Sequence, residues 1–143
     1  MQQGKIKKTD PDNKYRRVFS ASTLEGDTVK NSAGEDFGTV DEIMIDIPSG
    51  RVAYAVLSFG GSLHVGSKLF AVPWSALAVD EDKKCFILDV DKKTLESAPG
   101  FDKNSWPDMA DATWAMGVYR HYGVGPYWED EIESKTLRGG GSL

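Results

Sequence analysis

Between residues 28 and 90, short apolar runs alternate with turn residues at spacings of about 8–12 positions. Thr28–Lys30 reads as a brief strand ended by Asn31-Ser32-Ala33-Gly34. Over Phe37–Ile47, Ile43, Ile45 and Ile47 fall on one face and Glu42 and Asp46 on the other, the period of a half-buried strand. Pro48-Ser49-Gly50 is a turn. Arg51–Phe59 is apolar on both faces, with Val52, Tyr54 and Val56 opposite Ala53, Ala55 and Leu57, as in a central strand. Lys68–Val72, Leu77–Val79 and Cys85–Val90 complete about six strands, the last two pairing across the charged turn Asp80–Lys84. Short turns throughout predict a small antiparallel barrel or sandwich.

After Val90 the pattern changes from strand to helix. Asp91 can cap two helical turns to Ala98, stopped by Pro99-Gly100. Asp111 can cap a second helix to about Tyr122, with Trp114, Val118 and Tyr122 on one face and Gly123 at its C-terminal cap. Val124–Trp128 reads as extended. The predicted division is a flexible basic arm (1–17), a barrel (18–90), a helical, aromatic-rich tail packing on a barrel (91–128) and a flexible C-terminus (129–143).

Charge sharpens this division. The 143 residues carry a net charge of −5, yet residues 1–17, with six basic and two acidic side chains, carry +4 and the remainder −9. The arm has little apolar content to offset the entropy of ordering. Its modest charge, facing an acidic body, disfavours nucleic acid as a partner. One Cys excludes a disulfide within the chain and a Cys-rich zinc site. No run approaches the ~18 apolar residues of a membrane span, and the N-terminus has no secretory signal character, so a cytoplasmic location is expected.

Candidate chemistry is sparse. The loop Phe59-Gly60-Gly61-Ser62-Leu63-His64-Val65-Gly66 leads into a strand, whereas phosphate loops lead into a helix, so it reads as a long hairpin loop and His64 as an exposed side chain. Asp36, Asp41, Glu42 and Asp46 read as a solvated strand face. Asp80-Glu81-Asp82 lacks the ligand spacing of a calcium loop, and Cys85 reads as a small buried apolar residue. His121, near a helix C-terminus, sits where the dipole favours its protonated form. These readings assign no catalytic, metal or cofactor-binding residue. The aromatic group Trp106, Trp114, Tyr119, Tyr122, Tyr127 and Trp128 is the candidate interaction surface. It can fold back on its own barrel or pack on a second protein; a helix this short must dock somewhere.

Three stretches resemble the PRC-barrel family: Leu24–Gly61 its opening strands, Gly66–Leu77 with Val72-Pro73-Trp74 its later strands, and Ala98–Trp128 the tail of its stand-alone bacterial members. The family includes the cytoplasmic domain of the photosynthetic reaction centre H subunit and the C-terminal domain of a ribosome maturation factor. The resemblance implies a small antiparallel PRC-type β-barrel that docks or assembles without catalysis, as a homo-oligomer or on a protein partner. The chain has neither the transmembrane helix of the first nor the N-terminal barrel of the second, so neither specific role transfers. The alternatives are an enzyme using carboxylates with His64 or His121, and a factor associated with RNA, the ribosome or a photosynthetic complex.

Overall fold

The computed structural model describes residues 18–59 and 68–129, so the basic arm, the glycine-rich loop with His64 and the C-terminal stretch lie outside the described residues. Turn residues cut the middle of the chain into strands largely where the sequence pattern places them. The strands are β1 (Thr28–Lys30), β2 (Asp36–Asp46), β3 (Arg51–Phe59), β4 (Lys68–Pro73), β5 (Leu77–Asp80) and β6 (Cys85–Leu88), with a short seventh, β7 (Gly100–Phe101). The helices are α1 (Ala21–Leu24), α2 (Lys92–Glu96) and α3 (Ala112–Tyr122).

The predicted antiparallel barrel of six strands needs correction. The strands form one open, mixed sheet of seven in the order β5–β6–β1–β2–β3–β4–β7. The mixing comes from the crossover after β4. Pro73 and a single 3-10 turn at Trp74–Ala76 lead into the β5–β6 hairpin, and β6 then lies parallel to β1, Val29 opposite Phe86. The added strand comes from Gly100, which the sequence pattern marks only as a helix stop. A Cβ there would meet the Phe70 ring at 3.0 Å and the Leu69 carbonyl oxygen at 3.1 Å, so its bare backbone lets the chain pair with β4.

Gly38 is demanded by the same logic. Its φ is +93°, and a Cβ would lie 2.0 Å from the Ser58 carbonyl oxygen on β3. Further along β2 the register with β3 shifts twice, between Val40 and Glu42 and between Met44 and Ile45. The sheet packs two clusters. The first holds Val29, Phe37, Val40, Ala55, Leu57, Phe70, Val72, Phe86 and Leu88, with Leu24 of α1 and Leu95 of α2. The second joins Ala53, Tyr54 and Ala71 of the sheet to Ala115, Val118 and Tyr119 of α3.

Local signals set the helices. Asp91 accepts the Thr94 N–H at 2.8 Å, capping α2, and Asp111 accepts that of Trp114 at 3.1 Å, capping α3. Gly123, at φ +69°, ends α3 with its N–H on the Arg120 carbonyl. Only part of Val124–Trp128 is extended, because a helical turn opens at Tyr127 and the Pro126 carbonyl accepts the Glu129 N–H. Sequence reading missed α1, although Ser20 accepts the Thr23 N–H at 3.2 Å and Leu24 is buried. The buried Asn31 is fully engaged, donating to Glu35 and to the Val90 carbonyl and accepting the Glu35 N–H.

Candidate functional site

The aromatic tail gathers on the outer face of the sheet. α3 presents Ala115 and, one turn on, Val118 and Tyr119, and each is buried. Tyr54 of β3 receives them, with its ring centroid 5.4 Å from that of Trp114 and 5.6 Å from that of Tyr119. Trp128 stands edge-on to Tyr119 at 5.7 Å, and Tyr127 lies 5.3 Å from Trp128. Tyr122 touches both clusters. Trp106 stands apart, 40% exposed and leaning on Phe101. Five of the six candidate aromatics thus belong to or pack against the second cluster, and Trp106 does not.

A polar latch fastens this segment. The Tyr127 hydroxyl donates to the Asp46 carboxylate at the end of β2, and Arg51 Nη1 donates to the Tyr127 carbonyl at 2.9 Å. The Tyr127 hydrogen bond and the Ser49 N–H hold Asp46 below the usual carboxylate range. Burial, followed by the Asp46 hydrogen bond and charge, pushes the Tyr127 phenol up. Burial likewise raises Tyr54, Tyr119 and Tyr122. The hydroxyls of all three are buried without a well-formed hydrogen-bond partner among the described residues. Asp46 therefore leaves the solvated acidic face expected of it, whereas Asp36, Asp41 and Glu42 stay exposed.

The uncovered apolar surface lies beside the latch. The expected half-buried face of β2 is corrected: Ile43 is half-buried, but Ile45 is 50% and Ile47 83% exposed. These two lie beyond the second register shift, past the end of the first cluster, where nothing described covers them. A groove of about 470 Å³ runs from Ile45 past Phe19, Ile43, Val52 and Trp74 to Val18 and Val79. On the other side of Ile45, a cleft of about 630 Å³ separates the β2–β3 turn from the tail. No local sequence signal marks this face, because Ile45 and Ile47 have the alternation of a core strand.

A model of the PRC-barrel domain family matches residues 16–95. The chain belongs to the PRC-barrel family. Among solved structures, the chain is similar to a protein from Pseudomonas aeruginosa named as a 16S ribosomal RNA processing protein, RimM, at 17% identity and a TM-score of 0.38. That match covers 62% of this chain and spans half the length of the other. No curated protein gives a significant match.

The remaining candidates of this PRC barrel are held in structural contacts. The His121 ring nitrogen Nε2 lies 2.7 Å from the Thr94 carbonyl oxygen; a carbonyl only accepts, so Nε2 carries the proton, and α3 is tied to α2. Cys85 is buried at the start of β6. The 80–84 segment is a tight turn in which Asp80 accepts the Lys83 N–H and Lys84 has φ +55°. Among the described residues no three His, Cys, Asp or Glu side chains are grouped to hold a metal, and no helix is long and apolar enough to cross a membrane.

Proposed function

We propose that this PRC-barrel chain is a non-catalytic assembly module that associates with a second copy of itself through the apolar face centred on Ile45. One observation carries the reading: Val18, Ile45 and Val79, which line a preformed apolar groove, are 89%, 50% and 42% exposed. Apolar surface of this kind marks an interaction site. Charge favours a second copy as the occupant. The basic arm, at +4, enters the described structure at Val18, on the groove's rim, while the rest of the chain carries −9. Two copies thus offer each other charges of opposite sign, +4 over residues 1–17 and −9 over the rest, which offsets the repulsion between two acidic chains.

The test is the solution mass of the full chain by light scattering, alone and with Ile45→Glu or Val79→Glu. A dimer that becomes monomeric in either variant supports the reading. A monomeric unaltered chain at high micromolar concentration, or variants that stay dimeric, overturns it. Both positions are substantially exposed, so folding is expected to survive, which circular dichroism checks.

A further inference from the structure

The cleft on the far side of Ile45 has a different chemistry from the groove. Its volume of about 630 Å³ falls within the range of small-molecule sites. Tyr54, Tyr127 and Trp128 line it with Met44 and Met109, and Asp46 is the one charged side chain among its described lining residues. Among the described residues no Lys or Arg lines it; Arg51, paired with Asp46 across the β2–β3 hairpin, lines a neighbouring hollow of about 280 Å³. Aromatic rings with a single carboxylate attract a positive charge that carries apolar substituents: the ring faces and the anion favour the charge, and the methionines and alanines take the apolar body. Asp46 is ionised at neutral pH, and its latch to Tyr127 fixes the carboxylate in the wall. The net charge of −5 also favours approach of a cation.

We infer that this cleft binds an organic cation, a quaternary ammonium or protonated amine with an apolar body. Ile45 lines both the cleft and the groove, but the inference does not rest on the assembly reading, and its reporter, Trp128, lines the cleft alone.

The experiment follows the four Trp indole N–H resonances of the full chain by NMR during titration with benzyltrimethylammonium chloride at constant ionic strength. Benzyl alcohol is the uncharged control, and Trp128→Phe assigns the signal. The expected result is a saturable shift of the Trp128 signal with the cation, and binding of the alcohol weaker by about tenfold or more. In Asp46→Asn, whose amide oxygen still accepts from Tyr127, cation affinity is expected to fall by about tenfold. Equal binding of cation and alcohol would reduce the cleft to an apolar hollow and overturn the inference. So would the absence of any saturable shift up to about 10 mM cation, a concentration at which even a millimolar site fills. The two probes are compared on the unaltered chain, so the comparison decides the matter whether or not Asp46→Asn folds.

Discussion

The two clusters on either side of the sheet are built on opposite principles. The first is aliphatic and phenylalanine-rich, with Val29, Phe37, Leu57, Val72 and Phe86 fully buried and no tyrosine among its buried members. The second is assembled from small residues and tyrosines: Ala53, Ala71 and Ala115 let the rings of Tyr54 and Tyr119 approach, and both hydroxyls are buried without a well-formed partner. The first cluster draws residues from most of the strands and from two short helices. The second hangs on one helix and a latch. An interior that is apolar and strand-built carries the stability of the whole sheet, while one that buries poorly partnered hydroxyls is weaker per ring and open to local release.

Deletion in each cluster should break this comparison most visibly. Leu57→Ala is expected to cost about 3–5 kcal/mol in global unfolding by denaturant. Tyr119→Ala deletes a larger side chain, yet its loss is expected to be local. Hydrogen exchange should rise over residues 112–128 while the amides of β2 and β3 stay protected. Equal deprotection of sheet and tail would show that the two clusters form one cooperative unit.

A gentler change separates packing from polarity. Tyr119→Phe keeps the ring and removes a poorly partnered hydroxyl, so stability at neutral pH should change by no more than about 1 kcal/mol, toward gain. The alkaline limb reports on the same groups. The folded phenols of Tyr54, Tyr119 and Tyr122 titrate above their ordinary value of 10.0, so the unfolded chain loses protons first. Their contribution is intact below pH 10 and fades above it, and a melting series above pH 10 should fall less steeply in Tyr119→Phe.

The smallest effect belongs to the latch. Asp46 has a lowered folded value against an ordinary 3.8, so its contribution is present above that pH and lost as pH falls through the folded value. Protection of the tail amides, relative to their intrinsic exchange rate at each pH, should fall severalfold below pH 4, and Tyr127→Phe should show the lower protection already at neutral pH. An unchanged rate in Tyr127→Phe would mean that ring packing alone holds the segment.

What could be read in advance follows the range of the cause. Asp91, Asp111 and Gly123 act on neighbours within four residues, and both capped helices stand where those residues place them. The strands follow their alternation. The β1–β6 pairing, the strand at Gly100 and the exposure of Ile45 depend on residues far away in the chain, which no local period reports. The candidate aromatics could be named but not their partners. Tyr54 reads as one more apolar position of a central strand, and Asp46 as one more solvated acid, until the tail is laid across them.

The parallel pairing of β1 with β6 also sets an order in time. Thr28 and Cys85 face each other across 57 positions of chain. At about 5–20 residues per second of synthesis, one side of β1 waits roughly 3–11 seconds for its neighbour to be made. The β2–β3 hairpin, closed by a tight turn at Gly50, has no such delay. During each round of synthesis the nascent protein therefore carries an unfinished sheet edge at β1, and that interval is when a chaperone or a neighbouring nascent chain has access to it.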